Sequence, residues 1–249
     1  MSDKIFTTAE LIEYCKSFAW TRAIKQLHIH HTWKPEKKDY NGSNGQTLQD
    51  GMRAYHKSLG WSDIGQSLTL LPDGKWILGR DFNRDPASIL GWNEGAIAIE
   101  MIGNFDVGHD LLLHDQAEAL LDFSAFFLVL KSLNEGNLKF HRDNPEAGKT
   151  CPGTSINKDW YLSEVGGRII KYRPKPEPVA SPKAAMNIDE ACVFLTGKAF
   201  SGGAGWLKKA NADPKLADIF LAVANGWDTI KGTQYMDVIL QNIIKNMKG

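Results

Sequence analysis

The sequence predicts an α/β domain, a central and mostly mixed β-sheet covered by helices, followed by a small all-α C-terminal domain. Three observations carry this. Short apolar strand patterns alternate with helical ones through the first 171 residues. Residues 173–185 then break the pattern, with Pro174, Pro176, Pro178 and Pro182 close together. Beyond them only helical spacing remains. Alternating prolines remove the donors that helices and ladders need and leave an extended spacer. The expected divisions are 1–172 as the larger domain, 173–185 as a linker and 186–249 as a helical domain.

The elements follow in order. Thr8-Ala9-Glu10-Leu11 opens a helix, with Leu11, Tyr14, Cys15 and Phe18 on one stripe. Leu27 to Thr32 reads as a short strand, and Thr47 to Leu59 as a helix stopped by Gly60. Ser67–Leu71, Pro72-Asp73-Gly74 and Lys75–Leu78 form a strand–turn–strand hairpin signal. Ala96 to Ile102 is apolar except for Glu100 and suggests a central strand. A long apolar helix over His114–Leu133, a strand at Leu138–Phe140 and a helix over Ile156–Lys171 complete the domain. After the linker, Leu216, Ile219, Val223, Trp227 and Ile230 recur at helical spacing, as do Met236, Ile239, Ile243 and Met247.

Composition narrows the function. With 249 residues, 43% hydrophobic and 10% aromatic, the chain can bury a real core in one or two domains. Its 29 basic and 29 acidic residues leave a net charge of zero, which argues against nucleic acid as a partner. No apolar run reaches the ~18 residues of a spanning helix, so no membrane insertion is expected. The N-terminus carries acids where a signal peptide needs a basic region and an apolar run. Synthesis and folding in the cytoplasm are expected, with any export left to another agent. Three widely spaced cysteines, Cys15, Cys151 and Cys192, do not suggest a disulfide framework.

The chemistry concentrates in His141-Arg142-Asp143 and Lys149-Thr150-Cys151-Pro152-Gly153. A histidine at a strand end and a cysteine against a Pro-Gly turn make a plausible pair of zinc ligands, and a catalytic zinc keeps one position for water. The third ligand can come from the strand carrying His28, His30 and His31. On a strand His28 and His30 face one way and His31 the other, so the residues alone leave two faces open.

Five motifs occur in order: Ile29-His30-His31-Thr32; Trp61-Ser62-Asp63-Ile64-Gly65; Leu71-Pro72-Asp73-Gly74 with Gly79-Arg80; Gly91-Trp92-Asn93 with Ile102-Gly103-Asn104-Phe105; and the His141 to Gly153 segment. Together they resemble the zinc-dependent N-acetylmuramoyl-L-alanine amidases of the phage lysozyme and peptidoglycan-recognition-protein type. The resemblance spans residues 25–165 and stops short of the C-terminal part. It implies Zn2+ held by His30, His141 and Cys151, with Lys149 polarising the scissile carbonyl. Two positions depart from the family pattern. Gln66 stands where many members carry a catalytic tyrosine, and Ser88 where a substrate-contacting histidine is common. A second branch of the family places a glutamate in an Ile-x-Ile-Glu strand, which Ile97-Ala98-Ile99-Glu100 matches, implying Glu100 as the proton carrier.

The resemblance thus implies an endolysin that hydrolyses the amide between N-acetylmuramic acid and L-alanine in bacterial peptidoglycan. It would wait in the host cytoplasm until released to the wall. The rival reading is a non-hydrolytic peptidoglycan-binding module, which commonly lacks the cysteine ligand. Residues 186–249, with Trp206 and Tyr235 able to stack on sugars and Trp227 read as core, are expected to direct the enzyme to the wall, with a secondary cell-wall polymer as one partner. So short a domain has a marginal core, which leaves a homodimer through this unit open.

Overall fold

A computed structural model of the chain describes residues 4–173. The linker prolines, the helical region expected over 186–249 and Cys192 lie outside the described residues.

The sheet is built from six strands: β1 (Ile5–Phe6), β2 (Gln26–His31), β3 (Leu68–Leu70), β4 (Trp76–Leu78), β5 (Ala96–Met101) and β6 (Leu138–Phe140). Their spatial order is β1-β4-β3-β5-β2-β6. β2 runs parallel to both β5 and β6, and β3 parallel to β5, whereas β4 is antiparallel to β3 and β1. This is the mixed sheet that the alternating patterns predict. The hairpin also forms as read, with Gly74 at φ 77° in its turn and Leu71 N–H donating to the Lys75 carbonyl at 2.8 Å.

Four helices cover the sheet: α1 (Thr8–Ser17), α2 (Gly45–Ser58), α3 (His114–Leu130) and α4 (Lys158–Tyr172). The Thr7 hydroxyl accepts from Glu10 N–H while the Glu10 carboxylate accepts from Thr7 N–H, a capping box that starts α1. α3 is apolar nearly all round because it is enclosed, packing on α1 and α4 and on the sheet. Leu27, Ile29, Ile97, Ile99 and Met101 face this layer and are buried with Leu120, Phe123, Phe127, Tyr161 and Val165. Such a closed aliphatic and aromatic layer supplies most of the domain's stability.

The other face of the sheet is different. Strand alternation sends His28, His30, Ala98 and Glu100 to it, and α2 covers only one side, where Met52 packs on Leu71, Ile77 and Ile102. The uncovered remainder is where the polar residues gather.

Several boundaries shift from the sequence reading, and one strand is additional to it. α3 ends at Leu130 rather than Leu133 because Ser132 takes a left-handed backbone, φ 54°. β1, an edge strand of two residues, is too short to show periodicity.

Candidate metal centre and active-site cleft

Three parallel strands, β5, β2 and β6, end at the same edge of the sheet. The carboxyl ends of adjacent parallel strands are where ligand sites form in such sheets, because the loops that follow diverge there. β2 delivers His30, which is buried, and β5 places Glu100 directly opposite it in register. β6 stops at Phe140, so His141 emerges at the same edge.

Cys151 returns to this point on the loop that follows. Its Sγ lies 3.4 Å from His30 Nδ1, and the His30 and His141 rings meet edge-on with centroids 4.9 Å apart. Ligand atoms of all three residues fall within 4.8 Å of one another. Two imidazoles and one thiol form a donor set that fits zinc, with a fourth position open to the cleft. The His30 nitrogen turned to Cys151 is Nδ1, while Nε2 is buried without a hydrogen-bond partner among the described residues.

Burial holds His30 and His141 below the usual imidazole range, which keeps them in the neutral form that ligates; Lys149 lowers His141 further. Burial also pushes the Cys151 thiol well up, with nearby Glu100 adding to it, while the His31 N–H at 3.4 Å favours the thiolate. A cation held there would favour the thiolate form of Cys151. Glu100 has no ion pair or hydrogen bond among the described residues, and burial raises its carboxyl from 4.5 to about 8.

The loop carrying Cys151 is held by main-chain contacts. The Arg142 guanidinium donates to the carbonyls of Thr150, Gly153 and Ile156, and its backbone N–H to that of Cys151. Asp106 accepts from the Thr150 hydroxyl and from Thr154 N–H, both at 3.0 Å. Gly153, at φ 120°, passes so close to Phe105 that a Cβ would sit 2.3 Å from that residue's carbonyl carbon and oxygen.

The His31 ring points away from His30, His141 and Cys151: its Nδ1 accepts from Phe105 N–H at 3.0 Å. The cleft over the cluster measures about 440 Å³. Trp33, more than half exposed, and Trp61, stacked on His56, stand among its walls, with Gln66 and Ser88 deeper in. Lys149 lines the cleft from the exposed loop and has no partner among the described residues.

No family model matches the chain. A peptidoglycan-recognition protein of Drosophila simulans, SC1a/b, is 30% identical over 148 residues, which cover 55% of this chain and 74% of the relative. The chain belongs to the peptidoglycan-recognition protein and type 2 amidase family. The endolysin of Enterobacteria phage T3 is 25% identical over 115 residues, 46% of this chain and 75% of the phage protein. Among solved structures, wild-type Drosophila PGRP-LB aligns over 60% of this chain and 83% of its own, with 23% identity and a TM-score of 0.49.

In this member of the peptidoglycan-recognition family, the five residues singled out from sequence, His30, Glu100, His141, Lys149 and Cys151, all line one cleft. Sequence reasoning missed Arg142 and Asp106, which position the Cys151 loop. Arg142 follows a proposed ligand directly, and that adjacency was the available signal. It also missed Trp33, Trp61 and His56 as cleft walls, since no local pattern brings residues 33 and 61 together.

Proposed function

We propose that this protein is a zinc-dependent N-acetylmuramoyl-L-alanine amidase that hydrolyses the bond between the lactyl carbonyl of N-acetylmuramic acid and L-alanine in bacterial peptidoglycan. The observation that carries this reading is the meeting of His30, His141 and Cys151 at one strand edge, beside an isolated carboxyl. Zinc held by these three would supply a Lewis acid and lower the pKa of water toward about 7.

The chain's own groups do the rest. Glu100, opposite His30 on β5, accepts a proton from the attacking water. The same carboxyl then delivers that proton to the alanine nitrogen as the C–N bond breaks. Lys149 stabilises the oxyanion that develops on the carbonyl. Gln66, buried and with its amide nitrogen 3.0 Å from Thr69 Oγ1, offers no base, which leaves this role to Glu100.

The reading extends to an endolysin that folds in the host cytoplasm, is released to the wall, and is directed there by residues 186–249 through a wall polymer. Its support is the likeness to the phage T3 endolysin and the proline-rich division of the chain. The test is incubation of the full-length protein with purified cell wall, following new free amines beside bound zinc. Amine release that a chelator abolishes and zinc restores is expected. Tight wall binding with stoichiometric zinc and no amine release would instead identify a non-hydrolytic recognition protein.

A further inference from the structure

Two residues back from His30 on β2, a second imidazole occupies the same face. His28 is wholly buried, and its Nδ1 lies 2.8 Å from Ser88 Oγ. Ser88 Oγ donates in turn to Asn93 Oδ1 at 3.0 Å, and that oxygen also accepts the backbone N–H groups of Ser88 and Ile89 at 3.0 Å each. An atom that accepts from two backbone N–H groups is the amide oxygen and has no proton to give. The Ser88 hydroxyl proton is therefore committed to Asn93, and only lone pairs remain on Oγ for His28. His28 Nδ1 must be the donor. A fully buried imidazole without an anionic partner is neutral, so its Nε2 carries a bare lone pair.

That Nε2 is buried and has no partner among the described residues, and the same holds for Nε2 of His30. His30 turns Nδ1 toward Cys151 Sγ, 3.4 Å away, so Nδ1 is its ligand atom and Nε2 keeps the proton. A buried acceptor and a buried donor thus lie on neighbouring rings whose centroids are 6.2 Å apart. Neither Nε2 reaches a protein partner directly, so a link between the two calls for one bridging water. Ligating histidines regularly donate their second N–H to such an outer partner, which fixes ring and tautomer.

We propose that His28 is the positioning residue for His30, receiving its Nε2–H through a single buried water and held in the required tautomer by Ser88 and Asn93. The inference rests on the zinc-site reading above. It also gives Ser88 a role: a hydroxyl can accept from His28 while donating to Asn93.

The test uses the full-length protein, with zinc affinity measured by chelator competition and imidazole tautomers read from two-bond 1H–15N spectra. His28→Phe is expected to weaken zinc binding about 10–100-fold, the usual cost of losing an outer partner. In the wild type, His28 should show a protonated Nδ1 and an unprotonated Nε2. Ser88→Ala should remove that tautomer preference and weaken zinc in the same direction, and it decides the matter should His28→Phe not fold. A wild-type His28 protonated at Nε2, or folded variants that both bind zinc like the wild type, would overturn the proposal. Wild-type protein that binds no zinc at all would instead overturn the zinc-site reading, and this inference with it.

Discussion

Glu100 is the residue whose chemistry and position disagree most with its surroundings, since it interrupts an apolar central strand without any ion pair or hydrogen bond among the described residues. If it carries the proton, Glu100→Gln keeps the shape and the zinc yet lowers turnover by about 10²–10⁴-fold per zinc-loaded molecule. An unchanged rate per loaded molecule would remove Glu100 from the mechanism. The same carboxyl gives the metal-free protein a distinctive pH dependence. Its folded pKa of about 8 lies above the ordinary 4.5, so between those values the native state binds more protons than the unfolded one. Its contribution is complete below 4.5 and is lost as pH rises through about 8. The buried His28 works in the opposite sense: held down to about 3, it costs stability as pH falls below its ordinary 6.5. Denaturant midpoints of metal-free wild type and Glu100→Gln should therefore diverge in favour of the variant as pH rises toward 8. Parallel profiles would mean that the carboxyl is not isolated as described. Cys151→Ser, at the metal itself, is expected to abolish zinc retention and activity together, because a hydroxyl is a far poorer zinc ligand than a thiolate. Stoichiometric zinc in that variant would exclude Cys151 as a ligand.

At the scale of elements, the metal centre depends on the loop between β6 and α4 at least as much as on the strands. His30 is fixed by a ladder on both sides of β2, whereas Cys151 reaches the site on a loop held by Arg142, Asp106 and the close pass of Gly153 over Phe105. Gly153→Ala puts a methyl group into the Phe105 backbone and asks for φ 120° from a residue with a Cβ. It should destabilise the domain by about 1–3 kcal/mol and weaken zinc binding at the same time. Thermal melts of metal-free protein and chelator titrations measure the two effects separately. A loss of stability with zinc affinity intact would show that Cys151 is positioned independently of this contact. The sequence marked this loop by its Cys-Pro-Gly turn, but the Phe105 contact joins residues far apart in the chain and has no local signature.

At the scale of the whole molecule, the cleft residues and the layer of α1, α3 and α4 that supports them all fall within residues 4–173. A chain cut after residue 173 is therefore expected to bind zinc and cleave small soluble muropeptides at close to the full-length rate. Its lysis of intact walls should fall, because the proposed targeting region is gone. Kinetics on the two substrates check this, and equal loss on both would mean that residues 174–249 complete the catalytic unit. A fluorescent fusion of residues 186–249 that fails to label walls would end the targeting role.

The sequence by itself determined the order and type of the main elements, because strand and helix periodicities are local consequences of backbone geometry. It also singled out His30, Glu100, His141, Lys149 and Cys151 through motifs that resemble those of the family, and its prolines with the change to purely helical spacing are what point to a division after residue 172. What only the tertiary structure decided is which groups meet. Strand alternation alone left two faces of β2 open and the family resemblance implied His30; the parallel pairing with β5 and β6 is what sets Glu100 across from it and His141 at the same edge. The link from Asn93 through Ser88 to His28, and the clamp of Arg142 on the Cys151 loop, join residues separated by 5–60 and 8–14 positions respectively. Such contacts depend on how strands are registered and where loops return. A short-range pattern cannot encode them, because no residue's neighbours along the chain reveal its neighbours across the sheet.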